Sequence, residues 1–321
     1  MNFSFWGGSS FSATVLKVFL EHNFQPVLVV TTPPAPQGRK RELAKNELQI
    51  LAEENDIPVL APAKLKDNNF KEALNSYGCD FHFLTAYGKI VPQEILDLKG
   101  KGFINLHPSL LPKYRGASPI QTVILNREKV TGVSLFLMDQ GMDDGPILKQ
   151  KAVAIDVEDN YSSLSQKLAV LGAKLALETL PEWLEGICTP EAQDASKATF
   201  TRKFTISDGK VNWEIDTVSS IVSKIRALAK EPGVFSYYKE GTKPVLTVKF
   251  YDVRAETNEM NRPNINTYFP GKIIRQNNKL LVMASDGLIE IKSLQPAGKK
   301  IMTAQAFLNG HSQGIFISNP N

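Results

Sequence analysis

Across residues 1–190 the apolar positions keep two rhythms that take turns. Short runs that are apolar at nearly every position, "FSFW" (3–6), "PVLVVTT" (26–32), "DFHFLTAYG" (80–88), "GFINLH" (102–107) and "TGVSLFLMD" (131–139), predict strands buried on both faces. Between them, "SATVLKVFLEH", "LAKNELQILAEEN", "PQEILDL" and "SPIQTVILN" space their apolar residues three and four apart and predict helices. "SSLSQKLAVLGAKLALETLPEWLEG" (162–186) predicts one long amphipathic helix with a serine-rich start and a glycine stop. This alternation predicts an α/β fold, a doubly wound, mostly parallel, Rossmann-like sheet covered by helices.

The rhythm then stops. Residues 189–211, "TPEAQDASKATFTRKFTISDGKV", hold no period and are rich in small and polar side chains, as in a linker. After one helical stretch, "DTVSSIVSKIRALAK" (216–230), come the β-rich runs "PVLTVKFYDVRA", "GKIIRQNNKLLVMAS" and "LIEIKSLQ", parted by turns such as Asp286-Gly287. They predict a small β-barrel of the OB-like kind that often reads nucleic acid. The expected domains are therefore a catalytic α/β domain (1–189), a linker (190–206) and a C-terminal OB-like β-barrel domain (207–321).

Composition narrows the picture. With 321 residues, 42% hydrophobic and 22% charged, the chain has the size of two globular domains. No apolar run is long enough to span a membrane, and "MNFSFWGG" lacks the pattern of a signal peptide, so a cytoplasmic protein is expected. Cys79 and Cys188 stand far apart with no CxxC or His-rich companion, which argues against a disulfide or a zinc site and predicts two buried small hydrophobes. The net charge of +4 is uneven: residues 201–321 hold 17 Lys+Arg against 10 Asp+Glu, and residues 1–200 hold 20 against 23. A basic C-terminal part points to a polyanion gripped mainly by one end.

Candidate chemistry gathers at strand ends, where open parallel sheets place their sites. Asn105 and His107 are two apart at the end of "GFINLH", so an extended chain puts both side chains on one face, and Pro108 helps stop the strand there. An amide donor beside an imidazole can hold a developing oxyanion and move a proton near neutrality. A second strand runs into "MDQGMDDGP" (138–146), which crowds Asp139, Asp143 and Asp144 into a loop that could deliver a carboxylate to the imidazole. The DxDxDG spacing of a calcium loop is absent, and no metal is expected.

"INLHPSLLPKYRGASPIQ" followed by "DQGMDDGP" resembles the folate-dependent formyltransferase family. "TTPPAPQGRKRE", "LTAYGKIVP" and "LQPAGKKIMTAQAFLNG" narrow the resemblance to members with a C-terminal extension that act on methionyl initiator tRNA. It implies transfer of the formyl group of 10-formyltetrahydrofolate to the methionyl α-amine, without a metal. It also implies that Asn105 and His107 form the catalytic pair and that Asp143, three residues before Pro146, fills the acidic position, with Asp139 and Asp144 as competitors. Ser109, Leu110, Leu111 and Pro112 match the turn that contacts the folate, and Tyr87, Gly88 and Ile90 match the loop lining the pterin pocket. "WGGSSFS" departs from the family's usual Gly-Thr-Pro turn.

Arg39, Lys40 and Arg41 follow a Pro-rich stretch and a glycine, and three adjacent cations suit phosphates. In the resemblance this loop meets the tRNA acceptor end. Arg202, Lys203, Arg226, Lys299 and Lys300 would extend the basic path and make binding salt-sensitive. No coiled-coil heptad is present, and a monomer is expected.

Overall fold

A computed structural model describes residues 1–37, 42–98, 100–256, 268–311 and 314–320. Contacts divide the chain into two compact units. The first comprises Met1–Pro119, Lys129–Asp156 and Ser163–Arg202; the second comprises Ile120–Glu128, Val157–Ser162 and the chain from Lys203 onward.

The first unit is built on a seven-stranded sheet. From one edge its strands are Ile147–Ala154, Val130–Leu137, Phe103–His107, Phe81–Leu84, Phe3–Trp6, Leu28–Val30 and Val59–Leu60. The last five run parallel; Val130–Leu137 is antiparallel to them, and Ile147–Ala154 is antiparallel to Val130–Leu137. Every residue of Phe3–Trp6, Phe81–Leu84 and Phe103–His107 is buried, as near-continuous apolar runs require. Helices Ser10–Glu21, Glu47–Glu54, Asn68–Ser76 and Tyr161–Leu184 belong to this sequence stretch. The first opens on a capping box between Ser9 and Ser12, so "GGSSFS" forms a strand-to-helix turn with its own cap, worth about 1 kcal/mol.

Alternation sorts the Phe103–His107 strand into two faces. Phe103 packs among Trp6, Leu84 and Tyr87, and Asn105 and His107 follow on that same face. Leu106 faces the other way, where Gly172 of the long helix lies so close that an added Cβ would sit 2.6 Å from it. Asn105 and His107 are thus carried by a strand locked on both sides.

In the second unit an antiparallel sheet runs Ile273–Gln276, Lys279–Met283, Leu288–Pro296, Leu246–Ala255, Val234–Lys239, Ile315–Ile317. A bridge between Lys272 and Ile315 links its two end regions. Asn277 and Asn278, with φ 49° and 61°, turn the first hairpin. Both cysteines are free and half-buried, so neither is the fully buried hydrophobe that its isolation predicted. Among the described residues no helix is long and apolar enough to cross a membrane.

Candidate active site

Asn105 pairs in register with Phe136 and His107 with Ser134, so the two side chains stand at the carboxyl end of a strand held by neighbours on both sides. His107 is 5% exposed and Asn105 9%. The His107 Nε2 donates to the Tyr114 carbonyl at 2.9 Å, which leaves Nδ1 as the ring nitrogen free to exchange a proton. Nδ1 faces the Asp143 carboxylate, with Oδ2 at 3.6 Å. The ring thus has a carbonyl at one nitrogen and a carboxylate near the other.

Asp143 is set by its backbone. Its φ of 52° lies in the left-handed region, where aspartate is among the tolerated side chains. The same Oδ2 that faces His107 accepts the Gly116 N–H at 2.7 Å. Gly116 has to be glycine: its φ is 101°, and a Cβ would lie 2.7 Å from the Thr201 carbonyl.

The three aspartates of the loop separate by contact. Asp139 and Asp144 are both exposed, and Asp139 Oδ1 caps the Gly141 N–H at 3.1 Å. The Asp144 carboxyl lies against Gly141, where an added side chain would collide with it at 2.1 Å. Partial loss of hydration, and then Asp139 beside it, push the Asp144 carboxyl above its ordinary value. Only Asp143 is in ion-pair contact with His107 among the described residues.

The Ser109–Pro112 turn spends its polar groups on bracing itself. Buried Ser134 donates to the Ser109 carbonyl at 2.6 Å and accepts the Leu111 N–H at 3.0 Å. Gln150 donates to the Leu111 carbonyl at 2.8 Å and to Ser134 Oγ at 2.7 Å, and Ser109 Oγ donates to the Lys113 carbonyl at 2.6 Å. The result is a braced turn immediately after the Phe103–His107 strand. In the neighbouring loop Gly88 and Ile90 are exposed, Ile90 at 94%. The Tyr87 ring instead lies in the core, 5.3 Å from Trp6 edge to face, so this residue can offer a pocket only its backbone.

Residues 191–201, within the stretch that reads as a linker, are bonded to both site loops. Glu191 bridges Ile147, Gln193 bonds Asp143, Gly145 and Arg115, Thr199 bonds Tyr114, and Phe200–Thr201 pairs with Arg115–Gly116. The stretch shows no periodic sign of this, because its contacts are short bridges and single side-chain bonds to positions far away along the chain.

The basic residues are more dispersed. Arg39, Lys40 and Arg41 lie outside the described residues; their flanks, Ala35–Gln37 and Glu42–Ala44, pair as antiparallel strands. Arg202, Lys203, Lys299 and Lys300 are exposed. Arg226 is not a free cation: it donates to the Val157 carbonyl and pairs with Glu158 at 3.4 Å. A cavity of about 580 Å³ within the second unit is lined by Arg226, Lys230, Arg254, Tyr161 and Tyr251, together with Glu158 and Asp252. Among the described residues no group of three His, Cys, Asp or Glu side chains is placed to hold a metal ion.

Asn105 and His107 on one face of their strand, with the Asp143 carboxylate of the 138–146 loop 3.6 Å from the imidazole, form a group that can hold developing charge and move a proton. The family model described as "Formyl transferase" matches residues 1–180, and "Formyl transferase, C-terminal domain" matches 203–312. The chain belongs to the formyltransferase family. It is 40% identical over 306 residues, 95% of this chain and 94% of the relative, to the methionyl-tRNA formyltransferase of Thermodesulfovibrio yellowstonii. It is 36% identical to that of Staphylococcus aureus, with 95% of each chain covered. A solved N-formyltransferase from Helicobacter canadensis, in complex with folinic acid and dTDP-3-aminofucose, shares the fold at TM-score 0.64 and 21% identity, over 90% of this chain and 98% of that one.

Proposed function

We propose that this protein transfers the formyl group of 10-formyltetrahydrofolate to the α-amine of methionyl initiator tRNA, as a cytoplasmic monomer. One observation carries the chemistry: Asn105 and His107 share a buried strand end where the imidazole faces the Asp143 carboxylate at 3.6 Å. The acceptor rests on the methionyl-tRNA formyltransferases that match the chain across both units.

The braced Ser109–Pro112 turn fits a co-substrate with a flat ring, because its polar groups are spent internally and Leu110 and Pro112 remain to form a wall. The pterin's donors and acceptors then fall to backbone groups of the 86–90 loop, where Ala86 and Gly88 take φ of 47° and 76°. 10-Formyltetrahydrofolate supplies the one-carbon group. As the amine adds to the formyl carbon, Asn105 donates its amide N–H to the formyl oxygen and His107 carries positive charge beside it. Asp143 holds that charge and orders a water that relays the proton released by the amine to N10, so the amine gains the formyl group and the folate leaves as tetrahydrofolate.

For the tRNA, the exposed Lys299 and Lys300 and the cleft lined by Lys230, Arg254, Tyr161 and Tyr251 offer cations for phosphates and rings for stacking. The test is incubation with 10-formyltetrahydrofolate and methionyl initiator tRNA, followed by deacylation. Formylmethionine is the expected product; transfer to the amine of a sugar nucleotide and not to methionyl-tRNA would overturn the reading.

A further inference from the structure

We infer that Gln193 is a positioning residue for formyl transfer, working through Asp143 as a two-sided clamp between the acidic loop and buried Arg115. This inference rests on the reading of Asp143 as the carboxylate that serves His107.

Every hydrogen-bonding position of the Gln193 amide is used. Its Nε2 donates to the Asp143 carbonyl at 2.9 Å and to the Gly145 carbonyl at 2.7 Å. Its Oε1 accepts from Arg115 Nε at 3.1 Å and Nη2 at 2.7 Å. A primary amide is the only uncharged side chain that can donate twice on one side and accept a forked guanidinium on the other. Glutamate would keep the Arg115 pair but present oxygen to two carbonyls.

Both carbonyls belong to the residues that set the carboxylate. Asp143 holds a left-handed backbone, a conformation that costs free energy unless its surroundings over-determine it. Gly145 leaves no freedom either, because a Cβ there would fall 1.8 Å from the Leu137 carbonyl. Bonds to residues 143 and 145 therefore fix the loop on both sides of Asp144, and the Asp143 side chain is left pointing at His107 Nδ1 and the Gly116 N–H.

The other end of the clamp is equally anchored. Arg115 is 6% exposed, and its backbone is tied on both faces: its N–H donates to the Thr199 carbonyl at 2.8 Å, and its carbonyl accepts from Thr201 Oγ1 at 3.0 Å. The next residue is Gly116, whose N–H holds Asp143, and the preceding one is Tyr114, whose carbonyl holds His107. Gln193 thus joins the segment that orients the imidazole to the loop that carries the carboxylate. Together with the Gly116 N–H on the carboxylate, this side chain holds the spacing between the Asp143 carboxylate and the imidazole while touching neither of those two groups. Since misplacing reacting groups by about 1 Å can cost on the order of 100-fold, such a clamp has kinetic consequences.

The experiment measures kcat and KM for both substrates in Gln193→Glu, Gln193→Met, Asp143→Asn and the Gln193→Glu/Asp143→Asn double variant, alongside melting curves. The expected result is a kcat about 10- to 100-fold lower in both Gln193 variants with unchanged KM values. The double variant should be no slower than Asp143→Asn alone, because a residue acting through Asp143 has nothing left to orient. Gln193→Met removes the donors without adding charge, so it serves if the glutamate disturbs folding. Turnover within twofold of wild type in folded Gln193 variants would overturn the clamp, as would losses that multiply in the double variant. Wild-type turnover in Asp143→Asn would instead overturn the reading of Asp143, so the two failures are distinguishable.

Discussion

His82 and His107 stand on neighbouring strands of one sheet, 3% and 5% exposed, and their surroundings give them different partners. His82 lies near the start of its strand, stacked 4.3 Å over Phe103, with its Nδ1 bonded to Ser4 Oγ at 2.7 Å. Trp6 Nε1 donates to that same hydroxyl, so Ser4 Oγ ties the indole and the imidazole together. Burial alone pushes its pKa down to about 4. His107, at the carboxyl edge, instead meets a carbonyl at one nitrogen and a carboxylate at the other. With equal burial, it is the partners that distinguish His82 from the histidine proposed to act in transfer.

The largest test of that contrast is kinetic. His107→Ala should cost about 10²–10⁴ in kcat and Asn105→Ala about 10²–10³, whereas His82→Gln should leave kcat near wild type. A His82 variant that stayed folded and lost activity to the same degree would break the comparison.

The next is thermodynamic. His82 has a folded pKa of about 4, below the 6.5 of the unfolded chain, so the unfolded state binds the extra proton between those values. Its contribution is complete above pH 6.5 and is lost as pH falls toward 4, a decline of about 3 kcal/mol. Urea unfolding of wild type and His82→Gln at pH 7 and pH 4.5 should show the wild type losing more; parallel losses would remove the burial account.

A smaller effect is expected beside His107. Ser134→Ala removes a donor and an acceptor from the Ser109–Pro112 turn, at about 1–3 kcal/mol of stability, and should raise KM for 10-formyltetrahydrofolate while kcat stays near wild type. A kcat loss at unchanged KM would assign the turn to chemistry and not to binding.

Much of this site was legible in the sequence because period carries it. The run ending at His107 is a strand, and its two-residue period puts Asn105 and His107 on one face, as observed. The edge strand Ile147–Ala154 escaped because Leu148 is its one buried position, so it lacks an apolar pattern. The helix Asn68–Ser76 escaped for a like reason, with Phe70 and Leu74 alone buried. Asp143 could be preferred to Asp139 and Asp144 only through the family pattern, since three aspartates in one loop have no period to sort them. Gln193 left no signal: its partners are backbone carbonyls and a guanidinium 48 to 78 positions away. The second unit's β-rich character was read correctly from its short runs, but the strand Val234–Lys239 lay hidden behind "LAKEPG".

The central claim is that one carboxylate of the three serves His107. Single-turnover formyl transfer to methionyl initiator tRNA, measured with saturating 10-formyltetrahydrofolate in Asp139→Asn, Asp143→Asn and Asp144→Asn, tests it directly. The account predicts a loss of about 100-fold or more in Asp143→Asn alone, with the other two within about twofold of wild type. An Asp144→Asn or Asp139→Asn enzyme slowed as much as Asp143→Asn, or an Asp143→Asn enzyme at full speed, would contradict it.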